Sequence, residues 1–578
     1  MRKLISIISI ILILCVVFLS ACTLPGAYWE QGEIPDSTEG KDLTLGDAAD
    51  NVFSLNCNRK YSFNPLIATN HSNQLVCSLV YENMVEIDNN FEVIPNLITE
   101  WKHSDDSTVW NLTIAEGRTF HDGSPVTAKD LRYSLDKAIN SDRFLGRFRY
   151  YGGSAPSGDY ELQVMLSVGD SQFIKLLNIP VIKYGTYDDK YPEGSGPYAY
   201  EFETKVVETP NPDKKDDQGK TEQSAVALNA YAGHPDYEKL PVDTIYLKEY
   251  TKAEDIINAF EDSYIDIVIN DPSSYTNLGY ATINEIHPYA TTNMHYIGFN
   301  EESVIGVLPG FRYALQYAFD REYLIDLLHG YAVDSAVPMY PTCVDFPQSL
   351  NDSLHYDIER CKTILENNGF SDVDEDGWLE YLGAEVEISF ILCSDSSAKA
   401  GIANRFAENM ATIGLKINVQ ELTWTEYYNA LTDYENLTKE QKEDEDFNPI
   451  EWDMYYGEVK VRNTFDISEM LAERKDENKG SNMNYSHSKD EGYQTLLYNY
   501  LASNDSTREG NYRAFAEYVL TNRASLVIIG FENQQLITHR AAIRGVNPNY
   551  GNPLYDFANW KIQFKDSETN TNDVEAEK

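Results

Sequence analysis

"TFHDGSPVTAKDLRYSLDKAI", Thr119 to Ile139, sets one histidine and three aspartates within a short span of chain. His121, Asp122, Asp130 and Asp136 are residue types that ligate metals and move protons. Their spacing argues for a simpler role. Asp122-Gly123 with Pro125 close behind is turn chemistry. Thr127, followed three residues later by Asp130, approximates a capping box, so a helix is expected to begin there. Leu131, Ser134, Leu135 and Ala138 continue at helical spacing. His121 has no second histidine at ligand spacing nearby. The stretch reads as a strand–turn–helix junction that organises a fold.

Outward from it, helices and strands alternate. "AEVEISFILC" places Val386, Ile388, Phe390 and Leu392 on one strand face. "AKAGIANRFAENMATIGL" then sets Ile402, Phe406, Ala407, Met410 and Ile413 at helical spacing, and "KINVQEL" returns as a strand. That unit favours an α/β layer with a parallel strand pair. "FRYALQYAFDREYLIDLLHG" reads as two helical stripes, with Asp320 as the cap between them and Gly330 as the stop. With 578 residues the chain exceeds one compact core, so at least two lobes are expected. "ETPNPDKKDDQGKTEQSA" from Glu208 and "LTKEQKEDEDFN" from Leu437 are charged and poor in apolar residues, and read as surface insertions.

The net charge of -46 excludes a general nucleic-acid binder, which needs a basic surface to displace phosphate counterions. At the N-terminus Arg2 and Lys3 precede an uncharged run from Leu4 to Ala21, the form of a secretory signal. "LSAC", Leu19 to Cys22, resembles the lipobox of bacterial lipoproteins, in which the cysteine is acylated and the chain is cut before it. Each buried acyl methylene contributes about 0.8 kcal/mol to anchoring. Of the 7 cysteines, Cys57, Cys77, Cys343, Cys361 and Cys393 remain after Cys15 and Cys22 are set aside. An odd, widely spaced set is no disulfide framework, and buried free thiols are expected, although spacing leaves a Cys57–Cys77 pair open.

"WNLTIAEGRTFHDGSPVTAKDLRYSLDKAI" resembles the signature region of the extracellular solute-binding protein family 5, the peptide- and oligopeptide-binding components of ABC importers. One departure is Ala115, where members often carry Arg. "LITEW" at Leu97, "GSGPYAYEF" at Gly194, "AFEDSYIDIVI", "NMHYIGFNEE", the "FRYALQYAFDREYLIDLLHGYA" helix pair, "YDIERCKTILENNGFSDVDEDGW" and "NPLYDFANWKI" fit the family in order, from about Tyr61 to Ile562. The resemblance implies a two-lobed, periplasmic-binding-protein-like α/β fold with a hinge, a discontinuous first lobe and a smaller subdomain. The expected division is a signal peptide 1–21, lipidated Cys22 and tether 22–45, lobe 1 at 46–300 with the subdomain at about 86–180, lobe 2 at 301–525, a return to lobe 1 at 526–566 and a polar tail 567–578. It also implies a solute trapped between lobes and delivered to a membrane permease and, through it, an ATPase. A monomer without cofactor or covalent chemistry, lipid-anchored on the extracytoplasmic face, is expected.

Carried over by position, the cleft candidates are Asn70, His71, Asn270, Asp271 and Phe531. Each has a plain alternative: a helix cap for Asn70 and His71, a turn for Asn270 and Asp271, core packing for Phe531. In "EWDMYYGEVKVRNTFD" the family's peptide binders can place an acid for the peptide amino group, yet Arg462 falls there by ungapped count. If the segment is extended, Glu458, Lys460 and Arg462 share one face. That face is expected to enter the cleft and meet a ligand anion, the alternative being a solvated strand edge. "DVDEDGW" offers Asp372, Asp374 and Asp376, with Glu380, as weak calcium candidates. The bidentate acid of an EF-hand loop would fall at Gly383, so a hydrated acidic turn is the competing reading.

Two rival functions stand beside it: a surface sensor on the same fold, and a carboxylate-based surface hydrolase. No Gly-x-Ser-x-Gly or His-Glu-x-x-His motif supports the hydrolase. The lipobox reading has a direct outcome. Cys22→Ala should abolish incorporation of labelled fatty acid and leave uncleaved precursor on a gel; label entering the variant would refute it.

Overall fold

The computed structural model describes residues 52–144, 146–208, 220–270, 284–432, 450–473, 482–540 and 542–564. Cys22, the tether, the stretch from Leu437, Asp271 and the tail 567–578 lie outside them. The opening stretch behaves as a junction. Gly123 takes a left-handed φ of 81°, and the Asp122 carboxylate accepts from the Ser124 amide at 3.0 Å, closing the turn. Helix Ala128–Ile139 follows, with Asp130 accepting from the Thr127 amide at 3.0 Å. Asp130 also takes the Tyr184 amide at 2.9 Å, and Asp136 takes the Tyr151 hydroxyl at 3.1 Å.

His121 is the staple. Its amide donates to the Gly194 carbonyl at 2.9 Å, its ring meets the Gly196 carbonyl through Nε2 at 3.0 Å, and the ring stands edge-on to Tyr231. Gly194 and Gly196 are required there: a Cβ on either would overlap the carbonyl oxygens that end the helix His71–Val80, and the Gly196 amide donates to one of them, Val80, at 2.9 Å. Three distant segments thus meet on one backbone patch.

The first lobe is a mixed sheet. Its strands are β1 (Phe53–Cys57), β2 (Tyr198–Glu208), β3 (Lys220–Ala230), β4 (Thr244–Glu249), β5 (Ile267–Asn270) and β6 (Asn284–Tyr289). β1 is buried along its whole length, as a central strand covered on both faces must be, and runs parallel to β4 and β5. β2 and β3 pair antiparallel out to Glu208 and Lys220, so part of the insertion expected from Glu208 is strand. Between β1 and β2 the chain builds the subdomain: a four-stranded sheet of Ile98–His103, Val109–Ile114, Glu161–Leu166 and Tyr151–Gly158, in that spatial order.

The chain crosses at Ala290–Thr292 and builds the second sheet from β7 (Asn293–Phe299), β8 (Ala332–Asp334), β9 (Glu387–Cys393), β10 (Lys416–Leu422), β11 (Met454–Lys460) and β12 (Leu526–Glu532). β9 and β10 are the expected parallel pair, and helix Ser397–Ala411 packs Ile402, Phe406 and Met410 onto them. β13 (Gln534–His539) returns to the first sheet between β5 and β6, completing the orders β6-β13-β5-β1-β4-β3-β2 and β8-β12-β7-β11-β9-β10. The crossings therefore fall at 290–292 and at Asn533. The first lies upstream of the expected 300/301 boundary, because β7 pairs with β11 and β12. The second lies downstream of 525/526, because β12 pairs with β7.

The helix pair is shorter than expected, Pro309–Ala314 and Glu322–Leu327, with Arg321 rather than Asp320 at the second start. Buried Arg321 explains the break: its guanidinium donates to Ile528 O at 2.7 Å and Leu354 O at 2.8 Å, pinning the chain to β12. Cys57, Cys77, Cys343, Cys361 and Cys393 are all free thiols.

Burial pushes the His121 imidazole down to about 4 from 6.5, against the pull of the Gly196 carbonyl and Glu82. The unfolded ring takes up its proton near pH 6.5 and the folded ring only near 4, so the unfolded chain binds more protons between them. This term of stability is whole above pH 6.5 and is lost as pH falls toward 4. His121→Gln should therefore lose less Tm than the wild type across that window. Equal losses in a thermal melt series would show that folding does not shift the His121 titration.

Candidate functional site

The crossings mark one end of each sheet, and polar groups collect at both. In the first lobe, Asn270 pairs in register with Gln535 and Tyr289 with Gln534, so the C-terminal ends of β1 and β5 lie at the crossing end. Loops at such strand ends are where open α/β sheets bind ligands. Asn70 caps helix His71–Val80, accepting from the Asn73 amide at 3.1 Å. Buried Asn56 donates to Ser72 Oγ at 3.0 Å and accepts the Tyr250 amide at 2.9 Å. Asn56, Thr69, Asn70, His71 and Ser72 form the polar rim of a cavity of ≈ 330 Å³ whose floor is Leu75, Ile256, Ile267 and Ile269. Asn70 is thus both cap and rim, and His71 is exposed on the rim. Asn270 is buried and donates to Gln535 Oε1 at 2.7 Å, so the structure uses it as a side-chain rung between β5 and β13.

In the second lobe the crossing end carries charge. β7 begins at Asn293, opposite Lys460 at the end of β11, and β12 ends at Glu532. Asn293 donates to Glu458 Oε1 at 2.6 Å. Lys399, from helix Ser397–Ala411, bridges Glu458 Oε2 at 2.7 Å and Asp395 Oδ1 at 2.9 Å. His295 is fully buried, with Nδ1 3.0 Å from the Tyr456 hydroxyl and Nε2 3.4 Å from Glu532 Oε2. Burial alone would raise the Glu458 carboxyl, but His295, Lys399 and the Asn293 amide hold it down at about 2. The Thr291 hydroxyl donates to the Glu532 carbonyl at 2.5 Å and accepts the Asn293 amide at 3.0 Å, tying one crossing to the other.

The expected Glu458–Lys460–Arg462 face is corrected in part. Glu458 and Lys460 lie on β11, partly exposed and exposed, but the strand ends at Lys460. Arg462 lies beyond it, buried, in ion pairs with Asp466 at 2.5 Å and Glu469 at 2.6 Å. Burial would lower its guanidinium, yet the two acids outweigh that and hold it above its ordinary value. It is not a free cation facing a ligand. Phe531 is also corrected: it lies on β12 of the second sheet, fully buried against Tyr340 at 5.6 Å and Phe465 at 6.0 Å, and is core. Asp372, Asp374 and Asp376 converge at the surface, but each accepts a backbone amide, from Gly377, Asp376 and Trp378, while Glu380 accepts Val373. These amides hold the three aspartates on one exposed acidic turn, with ligand atoms within 4.8 Å of one another.

Arg462 belongs to a contact between subdomain and second lobe. There Asn463 donates to Lys175 O at 2.7 Å, Arg149 to Ser468 Oγ at 3.0 Å, and Gln172 to the Tyr500 hydroxyl at 2.8 Å. Asp170, at the same contact, is pushed up to about 7 by burial. Sequence reasoning missed Asn56, Asn293, His295, Lys399 and Glu532. Two signals were present: Lys399 stands on the apolar stripe of its own helix, three residues before Ile402, and Asn293 and His295 alternate onto one strand face.

The sequence profile of bacterial extracellular solute-binding proteins, family 5 Middle, matches residues 92–460. The oligopeptide-binding protein AppA of Bacillus subtilis is 22% identical over 442 residues, 72% of this chain and 76% of its own. The glutathione-binding protein GsiB of Salmonella typhi is 22% identical over 324 residues, 54% of this chain and 60% of its own. Among solved structures, the ABC transporter substrate-binding protein CtaP of Listeria monocytogenes superposes with a TM-score of 0.66 at 16% identity, covering 89% of this chain and 99% of that one.

Arg462 has a clear stability signature. Arg462→Ala leaves buried Asp466 and partly buried Glu469 without their cation, which should cost about 3–5 kcal/mol. Urea unfolding at neutral pH measures it; a loss under about 1 kcal/mol, the range of exposed pairs, would return Arg462 to the surface.

Proposed function

The chain belongs to the bacterial extracellular solute-binding proteins of family 5, and from that membership we propose that it captures a peptide or peptide-like solute between its lobes and hands it to an ABC permease. The observation that supports this most is the pairing of two unlike walls at the crossing ends of the sheets. The first lobe offers a ≈ 330 Å³ cavity with an amide-rich rim and an apolar floor, suited to backbone-like polar groups and one apolar side chain. The second offers Glu458 and Asp395 beside the exposed Lys460, suited to the charged groups of a zwitterion. Asn70, His71, Glu458 and Lys460 are the binding residues of this reading, and Asn270 acts behind them by holding β5 to β13.

Capture follows from hinge closure. Solute bridging both walls adds contacts only when the lobes meet, so it draws the population toward the closed form. The relatives named above bind an oligopeptide and glutathione, both peptide in nature, which supports the solute class. No step of covalent chemistry is needed. The extracytoplasmic placement of family members suits the proposed lipid anchor at Cys22, and the monomer is the working unit of this reading.

Native mass spectrometry of the purified protein, followed by denaturing release, identifies whatever co-purifies. A peptide series of mixed composition supports a backbone-reading site, and a single non-peptide compound overturns the peptide assignment. With a released peptide as probe, Thr69→Trp should plug the cavity mouth and weaken binding by at least about tenfold, roughly 1.4 kcal/mol. Its melting without peptide should stay unchanged, because Thr69 is exposed. Wild-type affinity in that variant would exclude the cavity as the site.

A further inference from the structure

Acids outnumber cations at the root of the second lobe. Lys399 is shared between Glu458, 2.7 Å away, and the half-exposed Asp395, 2.9 Å away. Three carboxylates, Glu458, Glu532 and Asp395, thus face one ammonium and one imidazole, His295, which supplies at most one further positive charge. Glu532 and His295 are buried. Buried carboxylates are held by paired charge or by a metal.

The geometry around the ring points the same way. His295 Nδ1 faces the Tyr456 hydroxyl at 3.0 Å, and Nε2 faces Glu532 Oε2 at 3.4 Å. That second separation is long for a charge-assisted bond, which usually closes to about 2.7–2.9 Å. His295, Glu458 and Glu532 each offer one ligand atom, and these atoms lie within 4.8 Å of one another. Three donors around one ion, each at about 2.0–2.2 Å, stand closer together than that limit, so the partly exposed Glu458 carboxylate swings inward on binding.

We propose that His295, Glu458 and Glu532 bind one divalent transition-metal ion at the base of the two crossing strands. The ion balances the two carboxylates and leaves the imidazole neutral, while Lys399 stays with Asp395. Nδ1–H then donates to the Tyr456 hydroxyl, which fixes the tautomer, and the Asn293 amide at 2.6 Å orients Glu458. One imidazole with two carboxylates selects a borderline ion such as zinc, iron(II) or cobalt(II) over calcium, which takes all-oxygen sites. Glu458, with its side chain 24% exposed, is the entry side. His295 follows one crossing by three residues and Glu532 immediately precedes the other, so the ion joins both crossings to β11.

The site is tested with cobalt(II) alone, on full-length protein stripped with chelator and freed of it, in the absence of organic solute. That makes the outcome independent of the solute reading above. One cobalt per chain is expected by elemental analysis, with visible d–d bands. Glu458→Gln should weaken binding by about a hundredfold, and so should His295→Gln, since each removes one of three ligands. Lys399→Met should bind as tightly as the wild type or tighter, because a neighbouring cation is lost. Asp374→Asn should leave binding unchanged and controls for the exposed acidic turn. Glu458, being partly exposed, keeps the test decisive if the His295 variant fails to fold. No saturable binding at millimolar cobalt(II), or binding that survives Glu458→Gln and disappears in Asp374→Asn, overturns the site; protons alone would then satisfy the cluster.

Discussion

The Thr291 hydroxyl, donating to the Glu532 carbonyl at 2.5 Å, joins the only two places where the described chain passes between its lobes. Everything that makes the molecule a clamp depends on that junction. Because β7 starts and β12 ends there, both side-chain faces of the second sheet are set by where the crossings fall. Asn293, His295 and Glu532 come to one face, and Phe531, one residue earlier, is turned into the core. A shift of one residue in either strand would exchange those faces. The first sheet answers with β13, inserted between β5 and β6, so that Asn270 and Gln535 hold the other side of the same junction at 2.7 Å. Both crossings are short, 290–292 and Asn533, the kind of segment that absorbs the backbone change in hinge motions.

Outside the His295–Glu458–Glu532 cluster, the chain's excess of acid is not passed on to the charged groups of the described interior. Buried cations are matched locally: Arg462 by Asp466 and Glu469, Arg508 by Asp345 at 3.4 Å, Lys399 by Asp395 and Glu458. Arg321 instead binds backbone carbonyls, and Arg312 binds carbonyls while facing Glu301 at 3.8 Å, so both also fix where helices stop. Replacing a matched buried pair by apolar residues is often harmless to stability, so their retention at the lobe contact suits a role in register.

The His121 junction works differently. Its histidine is held neutral by burial, its helix aspartates satisfy amides and hydroxyls, and its two partner glycines are there because helix-end carbonyls occupy the space a Cβ would take. A motif rich in titratable residues is here a device for joining three segments that are far apart in sequence.

How much of this was legible depended on range. Local signals decided local structure: the Thr127–Asp130 cap, the Gly123 turn, the strand–helix–strand unit from Glu387 to Leu422, and the family resemblance that rests on such stretches. The two-lobed α/β class followed from them. Long-range pairing decided the rest. Arg462 looked like a free cation because alternation along β11 was extended past Lys460, whereas the strand stops there and the chain turns into acids that no spacing rule connects to it. Phe531 looked like a cleft residue because nothing in its neighbourhood says which of two sheets its strand joins. Asn293, His295, Lys399, Glu458 and Glu532 come from four separate elements, and only strand register and helix docking place them together. The sequence by itself determined the elements and their order, since those depend on side-chain period and capping. Only the tertiary structure decided which polar groups share a site, because that depends on which backbone edges meet.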